Sequence, residues 1–160
     1  NYCDATWEVV SSDGNKRTIA CPSAANPDGA VFVLEKPVLE GGRKEDEPTI
    51  ITLPGNGEDG YIQGTFPAVG IKARNRFETT VGCLSRSDDC SVTFKLLYSV
   101  DGGPVQELGT WPQVQDKKIK RIEIDLTALA EKKVVFIFKV LNNGDSWEDR
   151  AFWFMPRILR

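Results

Sequence analysis

Nine consecutive residues, Asn142-Asn143-Gly144-Asp145-Ser146-Trp147-Glu148-Asp149-Arg150, gather amides, carboxylates, a guanidinium and an indole in one short stretch. An aromatic ring covers the apolar C–H face of a sugar, and planar amides, carboxylates and guanidinium groups pair with its hydroxyls. Asn142, Asn143, Asp145, Trp147, Glu148 and Arg150 are therefore the candidate ligand-binding set. The alternative is a solvated hairpin loop whose Trp147 folds down on a sheet, since tryptophan is usually well buried. Asp145, Glu148 and Asp149, beside amide carbonyls, form a hard-oxygen set that suits a structural calcium ion, although the spacing of an EF-hand is absent. For Asp149 the preferred role is to satisfy backbone N–H groups where the loop joins the next strand.

Other chemistries lose their parts. The chain has no histidine, so the commonest general base, the usual activator of Ser and Cys nucleophiles and a leading zinc ligand are all missing. The 23 acidic residues always offer some carboxylate pair, and no spacing nominates one, so an enzyme ranks last among the readings. With 20 basic residues and a net charge of −3, nothing provides the cationic excess that a phosphate backbone requires, which argues against a nucleic-acid partner. No apolar stretch approaches the ~20 residues of a membrane span. Four cysteines fall into two local couples, Cys3 with Cys21 and Cys83 with Cys90, neither with the C-x-x-C spacing of zinc or redox sites. Two structural disulfides in an oxidising, extracellular compartment are expected. Without a starting Met or a basic, apolar leader, the sequence reads as a processed product.

The elements that must hold these residues are strands. Apolar side chains recur with period two between Gly, Pro, Asn and Asp punctuation. Ser91 to Ser99 places Val92, Phe94, Leu96 and Tyr98 on one face, Arg76 to Val81 places Phe77, Thr79 and Val81, and Arg121 to Leu126 places Ile122, Ile124 and Leu126. Val134 to Leu141 and Ala151 to Met155 are apolar on nearly both faces and are expected mid-sheet. Trp153 is expected in the core beside Ala151 and Met155, with Phe152 and Phe154 on a covered outer face. Trp7 and Trp111 are expected in the core or at its rim. Weaker strands are expected at Thr6 to Val10, Ala30 to Leu34, Ile50 to Leu53 and Tyr61 to Phe66. Leu126 to Lys133 suits one helical turn, and the charged Glu40 to Pro48 reads as a solvated loop. The expectation is one domain over residues 1–160, an all-β antiparallel sandwich.

A family pattern runs through the second half: Arg76-Phe77 before Val81-Gly82, Val92-x-Phe94, the Gly102-Gly103 turn, Ile122-x-Ile124-Asp125-Leu126, and Asp149-x-Ala151-x-Trp153-x-x-Pro156-Arg157-Ile158. It resembles the novel carbohydrate-binding module family attached to some glycoside hydrolases. That resemblance implies a galactose-binding-like jelly-roll and a secreted, non-catalytic module whose partner is carbohydrate. The chain departs from the pattern at Arg150, where the family usually has histidine, and at Phe152, where it usually has an acidic residue. The alternative is a structural subunit of an extracellular filament or surface layer, self-associating by exchange of the segment Tyr2 to Val10.

Overall fold

The alternating runs become strands and the punctuation becomes turns in a computed structural model that describes residues 1–85, 87, 89–144 and 149–160. The strands are β1 (Thr6–Val10), β2 (Lys16–Ile19), β3 (Ala30–Leu34), β4 (Thr49–Leu53), β5 (Tyr61–Thr65), β6 (Val69–Gly70), β7 (Arg76–Cys83), β8 (Ser91–Val100), β9 (Gln106–Val114), β10 (Lys120–Asp125), β11 (Lys133–Asn142) and β12 (Ala151–Leu159). They form two antiparallel sheets. One has the order β2-β1-β5-β11-β8-β9, with the short β6 also paired to β11; the other has the order β10-β7-β12-β4-β3. This is the expected β-sandwich, and its two central strands, β11 and β12, are those whose sequences are apolar on nearly both faces.

The core lies between the sheets and is organised by aromatic rings. Trp153 stacks on Phe138 with centroids 4.5 Å apart and meets Phe94 edge-on at 5.1 Å; Phe138 in turn touches Phe66 and Phe77. Such pairs add about 0.5–1.5 kcal/mol each beyond the area they bury. Trp7 is buried as well, and Gly64 lies across from it in the β1–β5 pair. A Cβ at Gly64 would stand 2.7 Å from the indole, so the strand can pass Trp7 only without a side chain there. Trp111 sits at the rim, packed on the same core.

Two expectations need correction. The segment after β3 is not a solvated loop: Leu39 and Glu40 are buried, and Leu39 packs with Leu84, Ile51 and Leu53 over Phe152 on the outer face of the second sheet. The six charges of that stretch concealed a cover in which Glu40 turns inward with both carboxylate oxygens hydrogen-bonded. Met155 does not join Ala151 and Trp153 in the core. The register of β12 against β7 shifts between Phe154 and Arg157, Met155 takes φ +48°, and its side chain is 38% exposed. An extra residue at a β-bulge reverses the alternation that follows it.

The turn expected after Leu126 forms as a 3-10 turn at Thr127–Leu129, and two more occupy Tyr2–Asp4 and Glu40–Gly42. Both cysteine couples are bridged, Cys3 to Cys21 and Cys83 to Cys90. Both chain ends lie at one end of the sandwich. Arg76 donates to the carbonyl of Arg160, and Asn1 lines, with Phe66, Phe138 and Pro156, two openings of about 420 and 510 Å³ between the sheets. The connection from β11 to β12 leaves from the opposite end.

Candidate functional site

The candidate loop begins where β11 ends, and its first residues are fixed by backbone pairing. Asn142 is buried: its N–H donates to Gly60 O, its carbonyl accepts from Asp59, and its side chain accepts from Gly144 N–H and donates to Gly55 O. Asn142 thus ties two loops together and turns its amide away from solvent. Asn143 is exposed, with its N–H on Ser91 O and its Oδ1 accepting from Thr93 Oγ1 at 2.9 Å. Asp145, Trp147 and Glu148 lie outside the described residues. Arg150 is exposed, its carbonyl accepts from Leu84 N–H, and it lines an apolar hollow of about 270 Å³ with Phe32, Leu34 and Leu53.

Asp149 is 2% exposed, and Oδ1 accepts from Ser91 N–H at 2.9 Å. Its other oxygen has no partner among the described residues. Burial pushes this carboxyl up to about 6, only partly offset by the Ser91 N–H. Asp149 therefore serves the backbone of β8, a strand 58 positions away, rather than its own turn. Among the described residues no group of three His, Cys, Asp or Glu side chains is placed to hold a metal ion.

The open face of the first sheet continues from this loop and carries residues that the sequence did not single out. On β5 the pleat turns Ile62 and Gly64 toward the core and Tyr61, Gln63 and Thr65 outward. Lys139 on β11 stands opposite Gln63, and Leu141 opposite Tyr61 and Thr93. The Lys139 ammonium lies 4.0 Å from the centre of the Tyr61 ring, a cation–π contact. Its acidity is raised, mainly by burial and then by the neighbouring Lys95, which itself pairs with Glu107 at 3.1 Å. Tyr61, Gln63, Lys139, Thr93 and Lys95 are all half-buried. A ring, an amide, a hydroxyl and two ammonium groups thus share one polar face with exposed Asn143 at its edge. The signal was present as a lone Lys139 in the apolar run of β11 and as the Tyr61-x-Gln63-x-Thr65 alternation.

No protein-family model and no curated protein sequence matches the chain. Solved structures do match in fold. The module TmCBM61, solved with β-1,4-galactotriose, superposes with a TM-score of 0.56 at 14% identity over 81% of each chain. CBM51 from Clostridium perfringens GH95, solved with methyl-galactose, gives 0.53 at 17% identity over 94% of this chain and 84% of its own. The CBM22-1 xylan-binding domain from Paenibacillus barcinonensis Xyn10C gives 0.52 at 9% identity, covering 96% and 84%. The chain therefore has the β-sandwich fold of carbohydrate-binding modules, which agrees with the family resemblance in its second half.

Proposed function

We propose that this chain is a secreted, non-catalytic module that binds carbohydrate where the 142–150 loop meets the open face of the first sheet. One observation carries the reading: on a fold shared with carbohydrate-binding modules, Tyr61 lies half-buried on an open face beside Gln63, Lys139, Thr93 and Asn143. One face of the Tyr61 ring carries the Lys139 ammonium, the other can stack on a sugar, and the amides and ammonium groups around it can reach the hydroxyls. Two disulfides support an oxidising, extracellular setting. Trp147 is assigned to the same seat as a second ring, and Asp145 and Glu148 to a calcium ion or to sugar hydroxyls. The absence of histidine supports binding over catalysis.

The test is a glycan array, with and without calcium, probed with wild type, Tyr61→Ala and Trp147→Ala. Binding is expected in the wild type and lost in both variants, with stability within about 0.5 kcal/mol for Trp147→Ala, the usual range for a surface substitution, and cooperative unfolding retained in Tyr61→Ala. No binding to any glycan overturns the reading. The same preparation is expected to be monomeric by size exclusion, because β1 is already paired on both edges within its own chain, by β2 and β5, leaving no unpaired edge to exchange. Long polymers would instead favour the self-assembling subunit.

A further inference from the structure

The outer face of the second sheet carries a groove that the carbohydrate seat does not use. Its floor is Glu78 and Thr80 of β7 with Phe154 of β12. One wall is Arg43 and Ile119 from the covering loops, and the other is Met155 and Arg157 at the bulge. Arg121 of β10 reaches in from the sheet edge. The groove holds about 310 Å³, within the usual range of small-ligand sites. Three guanidinium groups line it against one carboxylate, and two carboxylates beside the lining also reach them, Glu45 pairing with Arg43 and Glu123 standing 3.9 Å from Arg121.

Glu78 does not use up that positive charge. Its Oε1 accepts from Arg76 at 2.8 Å, which is the close partner, its Oε2 accepts a long bond from Arg157 at 3.5 Å, and Arg121 stands off at 3.9 Å. Hydrogen bonding from Arg76 accordingly holds the Glu78 carboxyl below the usual range. Arg121 and Arg157 keep side chains that are 71% and 49% exposed, with guanidinium donors left over for a ligand. The chain also strains itself to put Arg157 there. With Phe152 and Phe154 facing outward, simple alternation would turn Arg157 into the core; the bulge at Met155, with its left-handed φ, reverses the parity so that Arg157 faces out opposite Glu78 and Ile158 faces in.

We propose that this groove is a second ligand subsite, selective for an anionic group, that takes the carboxylate or sulfate of an acidic polysaccharide while the sugar ring lies on Phe154 and Met155. Planar guanidinium forks match both oxyanions with paired N–H donors, which the point charge of a lysine does not. The ligand class rests on the carbohydrate reading above; the arginine placement does not.

Affinity electrophoresis of the full chain at low salt in gels containing polygalacturonate, dextran sulfate or neutral dextran tests it. Retardation is expected with one or both acidic polymers and not with dextran, and which acid binds identifies the group. Arg121→Gln with Arg157→Gln is expected to weaken that binding at least tenfold. The charge-matched Lys36→Gln with Lys132→Gln, at exposed positions elsewhere, is expected to leave it within twofold. Should the arginine variant fold poorly, Glu78→Gln serves in the opposite direction, removing the competing carboxylate and tightening binding severalfold. Equal retardation by acidic and neutral polymers, equal loss in the arginine and lysine variants, or no gain in Glu78→Gln overturns the proposal. Acidic binding that survives Tyr61→Ala while the array shows no neutral glycan keeps the groove and rejects the open-face seat; the reverse pattern does the opposite.

Discussion

Two buried carboxylates flank the Cys83–Cys90 bridge and meet burial in opposite ways. Glu40 and Asp149 are each 2% exposed. Glu40 Oε2 accepts from Cys83 N–H and from Gln113 Nε2, and its Oε1 from the N–H groups of Asp116 and Lys117. Asp149 accepts from Ser91 N–H alone among the described residues. Burial pushes both carboxyls up, but at Glu40 several donors oppose it. A hidden carboxylate with a full set of donors can serve as a fastener, whereas one with a single donor takes up a proton near pH 6.

The largest effect follows from removing the better-satisfied group. Glu40→Ala orphans the N–H groups of Cys83, Asp116 and Lys117, while Gln113 Nε2 keeps the carbonyl of Lys118, and since each unsatisfied buried donor costs about 1–3 kcal/mol with water recovering some, a loss of roughly 4 kcal/mol is expected in denaturant unfolding. A loss below about 1 kcal/mol would dissolve the contrast with Asp149.

Asp149 should respond in the other direction. Its carboxyl takes a proton near 6 when folded and near 4 when unfolded, so the folded state holds more protons between those values. Its contribution is favourable at acid pH and is lost as pH rises from about 4 through about 6. Asp149→Asn keeps an acceptor for Ser91 but cannot ionise, and should be the more stable protein at pH 7 by up to roughly 3 kcal/mol, with no difference near pH 4. Glu40 shifts the same way, so the diagnostic is the gap between wild type and variant at the two pH values. A gap independent of pH would show that Asp149 does not titrate there.

The bridge between the two carboxylates should matter least. Its cysteines are 7 positions apart, against 18 for Cys3–Cys21, and loop-closure entropy gives about 2.5 and about 3 kcal/mol respectively. Cys83→Ala with Cys90→Ala should therefore lower the melting temperature slightly less than Cys3→Ala with Cys21→Ala. The reverse order would mean that the bridge holds Glu40 and Asp149 in place as well as closing its own loop.

Strands β1, β3, β8 and β11 were legible because each alternates or runs apolar between turn residues, and burial then follows from parity. β9 was not, because Gly109 and Pro112 read as loop; on a sheet edge a proline costs no ladder bond, so the strand forms there regardless. The cover over Phe152 was misread for a related reason. Glu40 counts as a surface charge by type, and only the tertiary meeting of Cys83, Gln113, Asp116 and Lys117 makes its burial possible. Part of the seat was legible at Asn143, but Tyr61 and Lys139 belong to strands whose sequence signal is dominated by the core. The arginine groove was invisible, since its members come from β10, β12 and a loop, and a bulge sets the facing of one of them.

The placement of the chain ends determines how the protein can be mounted. Asn1 and Arg160 share one pole, and Asn142 and Asn143, at the end of β11, lie at the other. Anything joined at either terminus, whether a bead, a fluorophore or a further stretch of polypeptide, hangs from the pole remote from those two residues. Immobilisation by an end should thus leave Asn143 and the end of β11 remote from the support, whereas coupling through Lys139 would cover the open face it is meant to report on.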